Sequence, residues 1–130
     1  KKAKETNKNL KVLGVTILTS LNNKSLKEIG HTKKVEQLVL EQADLIKKAN
    51  LHGIVCAAGL EAKAVRKRHK NLFIVTPGIR LPGDKADDQS RVFTPYDALI
   101  NNNVSAVVMG RSIVKGNIKN NIKRLIAHLN

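Results

Sequence analysis

The chain has 130 residues, a formal net charge of +14 and one cysteine, Cys56. This length fits one domain with a real core, and because only 2% of the residues are aromatic while 42% are hydrophobic, that core must be aliphatic. No apolar run is long enough to cross a bilayer, and the Lys-rich first residues do not resemble a signal peptide. A lone cysteine makes no internal disulfide, so we expect a reducing, cytoplasmic compartment without a membrane partner.

The positive charge admits two interpretations. Basic patches attract the phosphates of nucleic acids, but the basic residues here are dispersed, with small clusters only at residues 1–4 and 66–68. Aromatic side chains, on which single-stranded nucleic acids stack, are nearly absent. We therefore interpret the charge as solvated helix surface and keep a basic nucleic-acid-binding protein as the weaker alternative.

The first half of the chain alternates apolar and amphipathic segments. These predict, in order, the end of a helix over residues 1–9, a strand over 10–18, a short helix over 25–29, a long helix from Thr32, a strand over 53–57 and a helix over 58–69. The first strand (LKVLGVTIL) is nearly all aliphatic, which is typical of a strand buried on both faces. The long helix has apolar residues at a spacing near 3.6, namely Val35, Leu38, Val39, Leu45, Ile46 and Ala49. In the following helix, Ala62 and Val65 are predicted to face inward.

The second half repeats this alternation. It predicts a strand over residues 72–75, a polar loop over 81–92, a helix from Thr94, a strand over 104–109, a loop over 110–116 and a last helix. Thr94 is an N-cap threonine, followed by proline at the first helical position and Asp97 at the third. This helix is expected to end in a turn or left-handed conformation at the asparagines of residues 101–103. The last helix carries its apolar residues on one face: Ile118, Ile122, Leu125, Ile126 and Leu129.

This order of elements, strand then helix four times over, predicts parallel strands with right-handed crossovers. An open sheet of four such strands would have bare apolar edges, a liability for a soluble protein. Four strand–helix units are also half of an eightfold barrel, and a chain that opens on the end of a helix would begin in the middle of a fold. We therefore predict an α/β half-barrel, formed as one domain by residues 1–130.

Two arginines follow the last two predicted strands. Arg80 comes just after the strand over residues 72–75, and Arg111 after the strand over 104–109. Parallel sheets bind ligands at the carboxyl ends of their strands, and in (β/α)8 barrels the loops after the last two strands commonly bind phosphate. Since a guanidinium grips phosphate with two hydrogen bonds, the pair predicts an anion site.

Other chemically active side chains carry weaker signals. The four histidines, at positions 31, 52, 69 and 128, are scattered without acidic or cysteine partners at metal-ligand spacing, so no metal site is expected. Cys56 lies inside an apolar strand and is expected to be a buried, inert thiol.

Taken together, the motifs resemble the C-terminal half of the bacterial orotidine 5'-phosphate decarboxylases. The similar segments, in order, are residues 15–20 (VTILTS), 53–56 (GIVC), 75–80 (VTPGIR), 88–89 (DQ) and 110–112 (GRS). The first two are similar to the family's fifth and sixth strands, VTPGIR and the following DQ resemble its seventh-strand motif, and GRS resembles the exit of its eighth strand. The resemblance covers essentially the whole chain. It implies half of a TIM barrel of the ribulose-phosphate-binding type, with the N-terminal half absent from this fragment.

The resemblance also implies an activity and a site. The family removes CO2 from orotidine monophosphate to give UMP, the last step of pyrimidine synthesis, without a metal or cofactor. By this likeness, Thr19 hydrogen-bonds the pyrimidine edge, and Arg80 and Arg111 hold the phosphate with the backbone amides of Gly110 and Arg111. Gln89 bridges phosphate and base as the loop over residues 81–92 closes, so that phosphate binding energy is directed toward the transition state.

One departure limits this expectation. The family's chemistry uses an Asp-x-Lys-x-x-Asp motif and a further lysine from the first half of the barrel, and residues 84–88 (DKADD) have the wrong spacing. We therefore expect no catalytic residue in this chain and no turnover without an N-terminal half-barrel. Because one of the family's acids comes from a second subunit, a homodimer partner is implied as well.

Two further alternatives stay open. The chain could be a non-catalytic half-barrel from a split or decayed gene that binds a nucleotide monophosphate or self-associates to cover its edges. It could also be a relative that acts on another sugar phosphate, although Thr19 and Gln89 favour a pyrimidine.

Overall fold

The computed structural model describes residues 2–87 and 91–130. Its strands are β1 (Leu13–Val15), β2 (Gly53–Val55), β3 (Phe73–Thr76) and β4 (Ala106–Val107). Its helices are α1 (Lys2–Thr6), α2 (Asn23–Glu28), α3 (Val35–Lys48), α4 (Leu60–Arg68), α5 (Arg111–Val114) and α6 (Ile118–Leu129), with a π-helical turn at Asp97–Asn101 between β3 and β4.

The described strands form one parallel sheet in the order β1-β2-β3-β4. Val15 pairs with Val55, Val55 with Val75, and Val75 with Ala106, so neighbouring strands are in step. Consecutive strands are neighbours, as in one side of a (β/α)8 barrel. The predicted α/β fold with parallel strands is confirmed.

Helices cover one face of this sheet. Ile54 and Ile74 are completely buried on that face, in a core cluster with residues of α3 and α4: Val39, Ala43, Ala62 and Val65. Gly14 lies against α3 so closely that an added Cβ would come within 2.4 Å of the Ile46 side chain. The inward prediction for Ala62 and Val65 is correct.

The opposite face of the sheet is left open by the described residues. Side chains alternate between the faces of a strand, so Val15, Val55 and Val75 point away from the helices. Val15 is 67% exposed, while Val55 and Val75 are partly buried. An apolar, uncovered inner face is what half of a barrel has when the other half is not in place.

Helix α6 has a second uncovered apolar surface. Ile118, Ile122 and Ile126 recur every four residues and are 54%, 38% and 54% exposed. They are three of the five residues predicted to share one face; the other two, Leu125 and Leu129, are partly buried. The described part of the chain therefore covers the leucine side of the helix more than the side of the three isoleucines. We refer to these three residues as the α6 stripe.

Several predicted bounds are wrong. The first strand, expected over residues 10–18, is only Leu13–Val15. The long helix α3, expected from Thr32, begins at Val35, where the Gln37 side chain accepts a hydrogen bond from Lys34 N at 3.1 Å. Leu45 and Ala49 are exposed. Residues of a helix advance by about 100° each, so Leu45 points away from the buried stripe that contains Ala43 and Ile46.

Two predictions about the helical segment that begins at Thr94 are correct, and the predicted extent of that segment is wrong. The Thr94 hydroxyl accepts a hydrogen bond from Asp97 N at 3.1 Å and donates one to Asp97 Oδ2 at 2.7 Å, so Thr94 caps the segment. Asn103 is left-handed, with φ of 51°. The segment is only one π-helical turn after a short helical start, and the loop predicted over residues 110–116 contains α5. No helix in the described ranges is long and apolar enough to cross a membrane.

Candidate anion-binding site

Arg80 is held rigidly at the exit of β3. Gly78 turns the chain with φ of 74°, a conformation that glycine adopts without strain, and Arg80 N donates to Phe93 O at 3.0 Å. The guanidinium donates from Nη1 to Ile79 O at 3.0 Å and from Nε to Lys85 O at 3.3 Å. Arg80 is only 6% exposed, and its buried Nη2 has no hydrogen-bond partner among the described residues. A buried cationic donor of this kind calls for an acceptor.

Arg80 and Arg111 line one cavity of about 190 Å³ at the carboxyl edge of the sheet. Five basic side chains border it, namely Arg80, Lys85, Arg111, Lys115 and Arg124, against two acidic ones, Asp84 and Asp87. The excess of positive charge favours a small anion. The structure thus brings together the two arginines on which the sequence prediction of an anion site depends.

Arg111 is more exposed to solvent than Arg80. It is the first residue of α5, directly after Gly110, and its side chain is about half exposed. Its Nη1 lies 3.2 Å from Oδ2 of Asp87, a residue of the polar loop in left-handed conformation with φ of 55°. One of the two guanidinium groups is therefore already paired with a carboxylate of the same chain.

Arg124 of α6 holds the first part of the polar loop, a role that sequence reasoning missed. Its Nη2 donates to Pro82 O at 3.1 Å and to Asp84 Oδ1 at 2.9 Å. The Ser112 hydroxyl accepts from Leu81 N at 3.4 Å and hydrogen-bonds the Asp84 carboxylate, which, together with Arg124, holds the pKa of Asp84 below its ordinary value. The available signal was a basic residue among the apolar positions of the last helix.

Asn121 fixes the connection between α5 and α6. It is buried, and its Nδ2 donates to Ile113 O at 3.0 Å and to Lys115 O at 2.8 Å. These carbonyl groups belong to the end of α5, where the helix itself leaves them unpaired. The cavity wall formed by Arg111, Ser112 and Lys115 is thereby attached to α6.

The other predicted site residues lie outside this cavity or outside the described residues. Thr19 is buried in the turn that follows β1, and it does not line the cavity. Gly110 precedes α5 without lining the cavity. Gln89 lies outside the described residues. The roles assigned to these three residues therefore stay predictions.

Cys56 is a buried thiol, as predicted. Burial raises the pKa of Cys56 to about 12, against the weaker opposing effect of Arg91 and Arg66, so the group is protonated at neutral pH. Across residues 2–87 and 91–130, no three His, Cys, Asp or Glu side chains come close enough together to hold a metal ion.

Comparisons with known proteins agree on one family. A model of the orotidine 5'-phosphate decarboxylase / HUMPS family matches residues 1–124. The chain is 45% identical over 117 residues to the orotidine 5'-phosphate decarboxylase of Wolbachia sp. subsp. Brugia malayi, a match that covers 89% of this chain and 51% of that protein. It is 46% identical over 105 residues to the enzyme of the same name from Coxiella burnetii strain RSA 331, which covers 80% and 44%.

A solved structure gives the same answer. The crystal structure of orotidine 5'-phosphate decarboxylase from Lactobacillus acidophilus matches with a TM-score of 0.68 and 29% identity, over 92% of this chain and 49% of that one. Parallel strands, helices on one face and a basic cavity at the carboxyl edge define half of a (β/α)8 barrel. The chain belongs to the orotidine 5'-phosphate decarboxylase / HUMPS family, and it spans about half the length of the relatives it matches.

Proposed function

We propose that this chain is the C-terminal half of an orotidine 5'-phosphate decarboxylase, and that it binds the phosphate and the pyrimidine of orotidine 5'-phosphate and of UMP. One observation carries the proposal: the buried Arg80 has an Nη2 without a hydrogen-bond partner among the described residues, and Arg80 shares a basic cavity with Arg111. Membership of the family supports the choice of substrate. A cytoplasmic location follows from the same membership.

Arg80 is the preorganised part of the phosphate site. Two of its nitrogens are already held by backbone carbonyl groups, so little rearrangement is needed when Nη2 meets a phosphate oxygen. Arg111 supplies the second guanidinium after it exchanges the Asp87 carboxylate for phosphate. The backbone amides of Gly110 and Arg111 complete the site in this proposal.

The pyrimidine is bound on the side of β1. Thr19 hydrogen-bonds its edge, and Gln89 reaches from the loop over residues 81–92 to both base and phosphate. The loop closes over the nucleotide, and the energy of gripping the phosphodianion far from the reacting carbon is used to assemble the closed site. The first part of that loop is already held by Arg124 and Ser112.

The catalytic lysines and carboxylates are supplied by an N-terminal half-barrel in this proposal. Its strands pair with the open edges at β1 and β4, and it covers the exposed inner face at Val15 and the α6 stripe. Closing the barrel removes both edges, which otherwise present unpaired backbone groups. We expect no turnover by these 130 residues alone.

Binding and turnover test the proposal separately. We would titrate the chain with UMP and with inorganic phosphate, then repeat this with Arg80→Lys and with Arg68→Lys, a matched control whose side chain pairs with Asp44 on the outer surface. We expect UMP and phosphate to compete, and Arg80→Lys alone to weaken both. CO2 release from orotidine 5'-phosphate should require added N-terminal half of the Wolbachia relative.

Two results would contradict the proposal. If UMP does not bind even with the N-terminal half present, the proposed substrate is wrong. If the pure chain alone releases CO2, the proposal that the N-terminal half supplies the catalytic residues is wrong. The open sheet face favours one competing function, a self-associating half-barrel. A stable assembly of two copies, unaffected by added N-terminal half, would favour that alternative.

A further inference from the structure

A second charged cluster lies away from the phosphate cavity, where β1 and β2 end. Glu61, in the first turn of α4, is only 5% exposed. Its Oε2 accepts a hydrogen bond from Ala57 N at 3.2 Å, and its Oε1 forms an ion pair with Nη1 of Arg91. Arg91 Nη2 donates to Leu18 O at 2.8 Å. The side chain of Arg91 is 17% exposed.

This cluster joins three segments that are distant in sequence. Leu18 directly precedes Thr19, Ala57 follows β2, and Arg91 stands at the second end of the loop over residues 81–92. The strand-like bridge between Phe93 and Ile79 continues from there to the Arg80 backbone. The loop is thus attached at its first end to α6 by Arg124 and at its second end to the exit of β1 by Arg91.

The energetics favour a positioning role over a stabilising one. Taking two charges out of water costs free energy that their attraction only partly offsets, so a buried ion pair is weak support for stability. Burial lowers the pKa of Arg91, but its ordinary pKa is so high that the guanidinium stays charged. Such a pair instead fixes the geometry of the segments that it joins, because the planar guanidinium of Arg91 contacts two acceptors, Glu61 Oε1 and Leu18 O, at the same time.

We propose that Glu61 and Arg91 are positioning residues that hold the exit of β1, and with it Thr19, in the geometry that binds the pyrimidine. The inference rests on the proposed function, because it assumes that the nucleotide base lies at Thr19. Neither residue lines the phosphate cavity. Their loss should therefore weaken recognition of the base more than recognition of the phosphate.

The test compares two ligands, three variants of the full chain and one control variant. We expect Arg91→Met to lower UMP affinity by about tenfold, the effect of losing about 1.4 kcal/mol, and to change inorganic phosphate affinity by less than about twofold. Glu61→Gln keeps the acceptor for Ala57 N and should have a smaller effect in the same direction. Arg91→Lys should recover only part of the loss, since an ammonium does not reproduce the fork. Arg68→Met, which removes an ion pair with Asp44 on the surface, is the control.

Amide hydrogen exchange gives a second readout that needs no ligand. Exchange over residues 81–93 should accelerate in Arg91→Met and stay unchanged in Arg68→Met. Equal losses of UMP and phosphate affinity, or unchanged affinity with unchanged exchange, would overturn the inference. If the wild-type chain binds phosphate but not UMP, the proposed substrate is wrong. The amide exchange rates over residues 81–93 then test by themselves whether Arg91 holds the loop. If Arg91→Met does not fold, Glu61→Gln and Arg91→Lys still provide both readouts.

Discussion

Arg111 Nη1 lies 3.2 Å from Oδ2 of Asp87, so a carboxylate from the polar loop is paired with one of the two arginines of the candidate anion site. Within residues 2–87 and 91–130 no carboxylate forms an ion pair with the neighbouring Arg80, and its Nη2 has no hydrogen-bond partner there. The two guanidinium groups therefore differ in what phosphate binding requires of them. Arg80 is already in place, whereas Arg111 must first release the Asp87 carboxylate.

Removal of that internal anion should strengthen phosphate binding. Asp87→Asn frees Arg111 of an exposed ion pair worth about 0.2–1 kcal/mol, so inorganic phosphate affinity should rise by about 1.5-fold to fivefold. Isothermal titration at low and high salt would measure the phosphate affinity, and the increase in affinity should be larger at low salt. Asp44→Asn, far from the cavity, is the matched control. An unchanged or lower affinity for phosphate would show that Asp87 does not compete.

Replacement of the two arginines should separate binding from stability. Arg80→Ala leaves Ile79 O and Lys85 O without their donor, so we expect a loss of about 1–3 kcal/mol in the free energy of unfolding together with the loss of phosphate binding. Arg111→Ala should also lose phosphate binding, with a change in stability below about 1 kcal/mol, because its side chain is half exposed. Urea unfolding and phosphate titration of the same preparations would check both. Equal stability losses in the two variants would contradict the difference in anchoring.

The cap at Thr94 should contribute to stability in a pH-dependent way. Hydrogen bonds from Thr94 and Asn101 hold the pKa of Asp97 below its ordinary value of 3.8. Because the folded pKa is the lower one, the stabilisation is present above about pH 3.8 and is lost as the pH falls through the folded value. Thr94→Ala should cost about 1 kcal/mol at neutral pH. Asp97→Asn should be less stable than wild type at pH 7 and approach it in acid.

Unfolding by urea at several pH values would measure this dependence. Asp44→Asn is again the control, because its carboxylate is not in the cap. A stability difference between wild type and Asp97→Asn that stays constant from pH 7 to pH 2.5 would mean that the charge of Asp97 is not the cause.

The α6 stripe should be needed for association with an N-terminal half-barrel. Ile122→Lys places an ammonium group where the contact would bury an apolar side chain, and burying an unpaired charge costs more than about 1.4 kcal/mol, so the affinity for the N-terminal half should fall by at least about tenfold. Lys123→Ala, a neighbouring exposed position on the same helix, should have little effect. Sedimentation velocity of the mixed halves would measure the complex. Unimpaired association of Ile122→Lys would exclude the stripe from the contact.

Local patterns determined the architecture of this protein. The strand-and-helix alternation predicted parallel strands, and the Thr94-Pro95-Tyr96-Asp97 cap was correct in its hydrogen bonds, because both depend on residues close in sequence. Arg80 and Arg111 were predicted at one edge because parallel strands end on the same side. The motif resemblance gave the family, which the comparisons confirmed.

Only the tertiary structure decided which side chains meet across the loop. Arg124 contacts Asp84 from 40 residues away, and Arg91 joins Glu61 to Leu18 O from a distance of 73 residues along the chain. Periodicity also marked Leu45 as an apolar position of α3, yet it is exposed. The physical reason is the same in each case. A local pattern fixes which way a side chain leaves its own element, whereas burial and pairing depend on what other elements bring against it.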